Sequence, residues 1–288
     1  MSAASRPDQG IDFSYADYEF VAEFYDHVLP YRDRPDIRFY REQALINGGP
    51  VLELGCGTGR VLIPIARSGI QITGVDLSDH MLSVCRQRLQ EEDGQVRSNV
   101  ELIEGDMRTV EVGARFNLVT SPFRAFQHLL TVEAQIRTIR NAFSHLQPGG
   151  HFILDVFNPS LNALTDDNHG EQFGQEPEFV LPDGSRVVRS HRIVERDLID
   201  QISSVELIYN VADPDGHQER LVHAFKMRHL FRFELEHLVA RCGFEVEEVY
   251  GDFDRKPYGA VYPGELIFIA RKAGGAFSKG GVPDPDRG

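Results

Sequence analysis

Short apolar runs alternate with longer amphipathic stretches through the first half of the chain. The runs have the β-branched and aromatic composition of buried strands, whereas the stretches repeat apolar residues at helical spacing. The predicted strands are Val51–Leu54, Ile72–Val75, Val100–Ile103, Phe116–Thr120 and Phe152–Val156. The predicted helices are Arg60–Arg67, Asp79–Gln90 and Val132–Leu146. This alternation predicts an α/β fold with a parallel sheet that helices cover on both faces.

The segment before the first strand is predicted to be helical. Apolar and aromatic residues recur at helical spacing from Tyr15 to Ala44, so two helices are expected within residues 15–46. The two ends, residues 1–14 and 274–288, are expected to be disordered because Gly, Pro and charged residues replace an apolar period there.

The pattern changes after Asn158. Apolar and polar residues then alternate with a period of two in the runs Arg186–Glu195, Gln201–Asn210 and Arg220–Met227. Residues 160–229 are therefore predicted to form an antiparallel β insertion of three or four strands that acts as a lid. A helix, Phe231–Cys242, and two strands, Phe244–Val249 and Glu265–Ala270, follow it. Residues 15–159 and 230–273 are expected to form one domain around the insertion.

Charge and composition narrow the classes of partner. The net charge of −14 repels polyanions, which argues against nucleic acid and anionic membrane surfaces as partners. The chain has no apolar run near the roughly 20 residues of a membrane helix and no secretory signal pattern, so a cytoplasmic location is expected. Cys56, Cys85 and Cys242 are odd in number and widely spaced, so they are expected to be reduced, with no metal site.

The stretch ELGCGTG at residues 53–59 resembles a phosphate-binding loop but lacks two of its requirements. A dinucleotide-binding loop needs a glycine where this chain has Arg60, and no Gly-Lys-Ser/Thr follows for a nucleotide triphosphate. Glu53 would repel a pyrophosphate and attract a cation. Asp76, which ends the second predicted strand, stands where doubly wound folds place an acid that binds ribose hydroxyls. A nucleoside joined to a cationic amino acid, S-adenosylmethionine, satisfies both acids.

Four ordered motifs resemble those of the class I S-adenosylmethionine-dependent methyltransferases. They are ExGCGTG at 53–59, VDLS at 75–78, GDM at 105–107 and LQPGG at 146–150. The resemblance covers about residues 15–273, and within the class it is closest to small-molecule N-methyltransferases of the glycine and aminosugar type. It implies a Rossmann-like, mostly parallel seven-stranded sheet whose last strand is antiparallel.

The resemblance also implies roles for the residues of these motifs. Gly55, Gly57 and Gly59 would pack on the methionyl part of the cofactor, Glu53 would support that loop through the amine or the backbone, and Asp76 would hold the ribose hydroxyls. Leu77 would pack on the adenine, Asp106 would accept a hydrogen bond from the adenine amino group, and Met107 would stack near the ring. Further candidates for cofactor contact are Cys56, Met81, Ser121 and Tyr25.

Residues after the fourth strand are candidates for the acceptor site, because the end of that strand lies near the transferable methyl group in this fold. Phe123 is one candidate; Phe126 is either a second one or part of the core. His128 is a candidate general base or a residue that fills the turn before the next helix. Tyr15 closes over the cofactor and borders the substrate, or belongs to the core. Arg255 and Tyr258 contact substrate or lie in a solvated hairpin.

The function that these observations predict is methyl transfer to a small-molecule acceptor, to nitrogen more than to oxygen. In-line positioning supplies most of the acceleration, since holding two reactants in line is worth roughly 7–11 kcal/mol. The alternatives are a non-catalytic S-adenosylmethionine-binding regulatory module and a nicotinamide-dependent oxidoreductase, against which Arg60 argues. The oligomeric state, monomer or homodimer, stays open.

Overall fold

The computed structural model describes residues 10–12, 14–165 and 174–274. Its strands are β1 Val51–Leu54, β2 Ile72–Asp76, β3 Val100–Glu104, β4 Phe116–Ser121, β5 Leu146–Phe157, β6 Phe179–Val180, β7 Arg186–Asp197, β8 Ile202–Ala212, β9 Gln218–Arg228, β10 Phe244–Tyr250 and β11 Glu265–Lys272. Its α-helices are α1 Ser14–Asp17, α2 Glu19–Tyr25, α3 Leu29–Arg32, α4 Asp36–Asn47, α5 Leu62–Arg67, α6 Asp79–Gln90, α7 Gly94–Ser98, α8 Val132–His145, α9 Leu161–Thr165 and α10 Arg232–Arg241. A 3₁₀ turn, Ala125–His128, follows β4.

The larger sheet has seven strands in the order β10-β11-β5-β4-β1-β2-β3. Strands β1 to β5 pair in parallel, whereas β11 is antiparallel to both of its neighbours, β5 and β10. The predicted fold class, including the antiparallel last strand, is confirmed.

Both faces of this sheet are buried, which explains why its strands are almost continuously apolar. In β1 the side chains alternate between two cores. Leu52 and Leu54 pack in the core that includes Phe152 and Phe268, whereas Val51 packs in the core that includes Phe39.

The order of the strands indicates which edge of the sheet binds ligands. The chain leaves β1 toward β2 on one side, and β4 returns to pair with β1 on the other. In open α/β sheets, ligands bind at such a reversal, outside the carboxyl ends of the strands. The loops after β1, β2, β4 and β5 therefore converge at this edge.

The insertion forms a second sheet in the order β6-β7-β8-β9, with antiparallel pairing throughout. One face of it packs on the N-terminal helices. Phe24 and Val28 contact a cluster that includes Val187, Tyr209 and Phe225. The second sheet is thereby held over the carboxyl edge of the larger one.

The N-terminal segment differs from the two helices expected within residues 15–46. It folds as four short helices, α1 to α4. Prolines explain part of the division, because Pro30 fits only the first turn of α3 and Pro35 precedes the first residue of α4. Most of the two ends expected to be disordered, residues 1–9 and 275–288, lies outside the described residues.

The boundaries of the later elements also depart from prediction in one place. Strand β5 begins at Leu146, so the Gln147–Gly150 stretch that was expected to be a turn belongs to the strand. A register shift opposite Phe116 accommodates the extra residues. The expected N-cap of α8 is confirmed, because the Thr131 side chain accepts a hydrogen bond from the Ala134 N–H. Within the described ranges, the helices are too short or too polar to cross a membrane.

A buried ion pair joins α4 to the segment after β1. Arg60 donates to both carboxylate oxygens of Asp36, at 2.8 and 2.6 Å, and Asp36 is fully buried. Burial disfavours the charge of Arg60, but its hydrogen bonds to Asp36 outweigh that effect and raise its pKa. Loss of Asp36 would leave a buried cation without this partner.

We expect Asp36→Asn to lower the free energy of unfolding by about 3–5 kcal/mol, because removing one partner of a buried pair strands the other charge. Urea unfolding followed by circular dichroism measures it. Asp79→Asn is the control, since Asp79 pairs with Arg86 on the surface and its loss should cost about 0–1 kcal/mol. Equal losses in the two variants would contradict the prediction.

Candidate active site

The glycine loop after β1 has a backbone that requires glycine at three positions. Gly55, Gly57 and Gly59 have φ angles of 78°, 53° and 80°, in the left-handed region. A side chain at Gly55 would also bring its Cβ within 2.7 Å of the Ala125 Cβ. At Gly57 a Cβ would meet no atom within 4 Å, because this part of the loop faces a cavity.

Asp76 ties this loop to the start of α6. Its Oδ2 accepts a hydrogen bond from the Gly57 N–H at 2.7 Å, and its Oδ1 accepts one from the Ser78 N–H at 2.9 Å. Burial raises the pKa of Asp76, although these backbone hydrogen bonds oppose the shift. The carboxylate keeps lone pairs for a ligand, since each oxygen can accept more than one hydrogen bond.

Glu53 is a buried acid with an incomplete set of partners. The side chain lies in β1, and its Oε2 accepts no hydrogen bond from the described residues. Burial raises the pKa of Glu53 well above its ordinary value, while Arg60 lowers it. A buried carboxylate oxygen without a donor is costly, so a ligand amine at this place would be stabilising.

A cavity, the glycine-loop cavity, lies between the loops after β1, β2, β3 and β4 and the N-terminal segment. The residues around it include most of the predicted cofactor contacts. Its lining is Ile11, Asp12, Tyr15, Ala16, Tyr25, Gly55, Gly57, Val75, Asp76, Leu77, Ser78, Met81, Gly105, Asp106, Met107, Pro122, Phe123, Ala125 and His128.

Asp106 lies in this lining with its carboxylate already paired. The Arg108 guanidinium donates to both of its oxygens, with Nε at 3.0 and 2.9 Å and Nη2 at 2.5 Å. The pair fixes the orientation of the carboxylate at the cavity wall and leaves it fewer free lone pairs for an amino group. The sequence did not indicate this pairing.

The turn after β4 separates the glycine-loop cavity from a second cavity. Phe123 and Arg124 both have left-handed backbones, with φ angles of 54° and 67°, although neither is glycine. The Phe123 N–H donates to Asp155 Oδ1 at 2.8 Å, and the Tyr40 hydroxyl donates to the same oxygen at 2.7 Å. Asp155 thus holds the strained turn in place.

Asp155 belongs to a cluster of six charged side chains from different parts of the chain. Arg34 lies at its centre, 3.2 Å from Asp36, 3.3 Å from Asp155 and 3.0 Å from Glu265. The members of this strand-end ion cluster are Arg34, Arg60, Arg124, Asp36, Asp155 and Glu265.

Two of its guanidinium groups lie against the ring of Phe123. The Cζ atom of Arg60 is 4.5 Å from the ring centroid, and that of Arg34 is 5.1 Å from it. Cations over an aromatic face are attracted by its negative charge density. The ring therefore has a fixed position between the two cavities.

His128 ends the 3₁₀ turn and lines both cavities. Its ring packs edge-on against Tyr15, with centroids 5.1 Å apart, and its Nδ1 has no hydrogen-bond partner among the described residues. Burial lowers the pKa of His128, so the neutral ring prevails at pH 7. Burial and the neighbouring His128 also lower the pKa of His223 to about 3. A neutral imidazole can accept a proton.

The second cavity, the insertion cavity, has a volume of about 620 Å³ and lies between the turn after β4 and the inner face of the second sheet. Tyr15, Phe123 and His128 line both cavities. The remaining lining combines rings with charged and polar side chains. It includes Tyr31, Arg34, Arg124, Gln127, Phe157, Asn158, Glu176, Arg189, His191, Arg196, Ser203, Phe225 and His229.

Comparison with known proteins identifies the fold and its chemistry. Residues 51–150 match the protein family described as "Methyltransferase domain". The chain is similar to the CcbJ methyltransferase of Streptomyces caelestis, with 25% identity and a TM-score of 0.73 over 90% of this chain and 98% of that one. The chain is an S-adenosylmethionine-dependent methyltransferase.

Two further relatives carry names that state a methylated nitrogen. The cypemycin N-terminal methyltransferase of a Streptomyces species is 26% identical over 79% of this methyltransferase and 85% of its own length. The dTDP-3-amino-3,4,6-trideoxy-alpha-D-glucopyranose N,N-dimethyltransferase of Streptomyces venezuelae is 27% identical over 70% of this chain and 77% of its own length. These likenesses favour catalysis over the alternatives of a regulatory module and an oxidoreductase.

The residues of the methyltransferase fit its cofactor, S-adenosylmethionine. Glu53 offers an unpartnered oxygen for a cationic amine, and the glycine loop leaves open space at Gly57. Asp76 lines the cavity next to Gly57, from whose N–H it accepts a hydrogen bond, and a ribose would bind there. The observations that carry the fit are the open space at Gly57 and the Asp76 carboxylate in the lining.

Several predicted cofactor contacts do not line the cavity of the methyltransferase. Cys56 packs behind the loop toward Gly74, and a Cβ on Gly59 would meet the Cys85 sulfur at 2.6 Å, so both support helix and strand packing. Ser121 is buried, and its hydroxyl has no partner among the described residues. Glu53 likewise lies outside the cavity lining. Tyr25, Leu77, Met81 and Met107 do line it.

Three residues predicted to contact the acceptor lie outside the linings of both cavities. Phe126 is fully buried in the main core. Arg255 donates to Glu42 at 2.9 Å on the surface. Tyr258 packs beside the core, and its hydroxyl donates to Asn158 at 3.2 Å. The hairpin reaches the insertion cavity through Pro263 instead. Tyr15 and Phe123 lie at the junction of the two cavities.

Several charged residues around the insertion cavity had no role predicted for them. Arg124 and Glu176 lie in irregular segments, where no period marks an inward position. The sequence pattern could have identified Arg189, because Val187 and Arg189 are alternate positions of β7 and both face inward. An arginine is unusual at a buried position of a strand. An inward charge in an amphipathic strand indicates a buried partner or a ligand.

We expect Asp76→Ala to weaken cofactor binding by roughly tenfold or more, because the variant loses hydrogen bonds to a charged acceptor. Calorimetric titration with S-adenosylhomocysteine measures the affinity. Asp79→Ala is the control, since Asp79 lies three residues away, outside the cavity lining. Unchanged affinity in Asp76→Ala would refute the assignment of this residue to the ribose.

Proposed function

We propose that this methyltransferase transfers a methyl group to an amine nitrogen of a small molecule. The observation that carries the proposal is the junction of two cavities at Tyr15, Phe123 and His128. A cofactor in the glycine-loop cavity would meet an acceptor in the insertion cavity at these three residues. The insertion, residues 160–229, would act as the lid over that acceptor.

Nitrogen is favoured over oxygen by the two named relatives. One is named for an N-terminal methyltransferase activity and the other for N,N-dimethylation of an amino sugar nucleotide. A volume of about 620 Å³ is ample for an acceptor the size of an amino sugar. The net charge of −14 supports a small acceptor over nucleic acid.

The cofactor would be held along the glycine-loop cavity. Gly55 and Gly57 would contact its amino-acid part, Glu53 its amine and Asp76 its ribose. Leu77, Asp106 and Met107 would surround its base. When bound, S-adenosylmethionine supplies a methyl group on a positively charged sulfur.

The chain would accelerate transfer mainly by positioning. Tyr15 and Phe123 form the walls between the cavities, and the strand-end ion cluster fixes the ring of Phe123. Holding acceptor and donor in line contributes roughly 7–11 kcal/mol to the lowering of the barrier. The second sheet would exclude water from the bound acceptor and so keep the reacting groups in less polar surroundings.

His128 would act as the general base. A protonated amine has no lone pair for bond formation, and His128 can accept its proton because the neutral ring prevails. His128 would thereby hold the proton, and the nitrogen would have the lone pair that it needs to take the methyl group from the sulfur of the bound cofactor. The cytoplasmic location stays a prediction, and the oligomeric state, monomer or homodimer, stays open.

The reaction itself is tested with methyl-labelled S-adenosylmethionine. The protein is incubated with an extract of small metabolites, and labelled products are identified by mass spectrometry. We expect a product whose label lies on nitrogen. Label found only on oxygen, or transfer only to nucleic acid added in parallel, would overturn the proposal.

The role of His128 is tested by pH dependence. Because the pKa of His128 is lowered from 6.5, the basic form persists at and above neutral pH, and an acidic limb of kcat/KM should lie below pH 6.5. His128→Asn should abolish this limb and lower kcat by roughly 10²-fold. His237→Asn, on the exposed side of α10, is the control. An unchanged kcat and pH profile in His128→Asn would contradict the role.

A further inference from the structure

Arginines outnumber acids in the lining of the insertion cavity. Among the described residues, Arg34, Arg124, Arg189 and Arg196 line it, whereas Glu176 is the acid in the lining. The chain as a whole has a net charge of −14, so this concentration of arginine runs against the average. Guanidinium donors that lack a full set of partners attract an anionic ligand group.

Arg189 lies on the wall formed by the second sheet. It is 2% exposed, and Glu176 accepts hydrogen bonds from its Nε at 2.9 Å and its Nη2 at 2.7 Å. Its Cζ lies 4.3 Å from the centroid of the Tyr31 ring. These contacts fix the guanidinium, and its Nη1 is left without a hydrogen-bond partner among the described residues.

Arg124 lies on the opposite wall, in the turn that carries Phe123. Its Nη2 lies 3.3 Å from a Glu265 oxygen that Arg34 also contacts at 3.0 Å, so one carboxylate serves two cations. The Arg124 Nε has no partner among the described residues. Burial and the charge of Arg34 lower the pKa of Arg124 to about 10. The protein alone thus compensates this cation incompletely.

We propose that the methyl acceptor carries an anionic oxygen group, a carboxylate or a phosphate, which binds between Arg189 and Arg124 while the amine of the acceptor faces His128. This assignment rests on the proposed N-methylation and names the class of its substrate: amines that also bear an acid. Arg34 is excluded from the subsite, because three carboxylates already surround it.

Planar guanidinium groups suit this task, since each presents several N–H donors toward carboxylate or phosphate oxygens. Tyr31 lies close to both arginines: Arg189 stacks on its ring, and the Tyr31 hydroxyl raises the pKa of Arg124 against the effect of burial. An anion at this place would satisfy buried donors on both walls. It would also anchor the acceptor at the end away from the reacting nitrogen, which improves alignment.

The first experiment measures anion binding without any methyl transfer. Inorganic phosphate and acetate are titrated by calorimetry into protein saturated with S-adenosylhomocysteine, at constant ionic strength. We expect binding of at least one anion, weakened roughly ten- to hundredfold in Arg189→Met and in Arg124→Met. The preferred anion distinguishes a phosphate from a carboxylate.

The control is Arg186→Met, on the same strand as Arg189, because Arg186 pairs with Glu178 on the surface. It should leave anion binding unchanged. S-adenosylhomocysteine affinity verifies that each variant is folded, and the two arginine variants test the subsite from separate walls. Absence of binding by the wild type, or binding that both arginine variants retain, would overturn the subsite.

The second experiment compares three acceptors with the same amine: glucosamine, glucosamine 6-phosphate and glucosaminuronic acid. We expect kcat/KM for at least one acidic member to exceed that for glucosamine by tenfold or more, and Arg189→Met to abolish the difference. Equal rates for all three would overturn the subsite and leave N-methylation standing. If no amine is methylated while phosphate or acetate binds through both arginines, N-methylation of this class fails and the subsite stands.

Discussion

The strained turn at Phe123 and Arg124 is the constraint on which the arrangement of the site depends. Two consecutive left-handed residues that are not glycine cost about 1–3 kcal/mol each, so the surrounding structure must hold them. Asp155 does so by accepting a hydrogen bond from the Phe123 N–H, and the guanidinium groups of Arg34 and Arg60 pack against the Phe123 ring. Without this turn, the two cavities would not meet at a single aromatic wall.

The strand-end ion cluster connects that turn to the rest of the molecule. Its members come from the N-terminal helical segment, the glycine loop, the turn after β4, and strands β5 and β11. A buried cluster of this kind adds little net stability, because desolvation offsets much of its attraction. Its effect is geometric, because each charge has a partner only when all of these segments occupy their native positions relative to one another.

Local patterns were sufficient to predict the glycine loop and Asp76, which form the proposed cofactor half of the site. Strand β1 and helix α6 coincide with their predicted bounds, because apolar periodicity and the turn residues lie within one short stretch. Asp76 follows from the same stretch. The acceptor half depends on contacts between distant segments, such as Arg189 with Glu176 and Tyr31. The left-handed turn at Phe123 has no sequence signal, since neither of its residues is glycine.

Arg60 connects these two halves. In the sequence it stands where a dinucleotide loop has its last glycine, and on that ground it indicated a different ligand. In the fold its guanidinium pairs with Asp36 and lies over Phe123, so it joins the glycine loop to the aromatic wall between the two cavities. The residue that argues against a pyrophosphate loop is thus also a structural link between the proposed donor and acceptor sites. The geometry of both proposed sites therefore depends on the same buried charge.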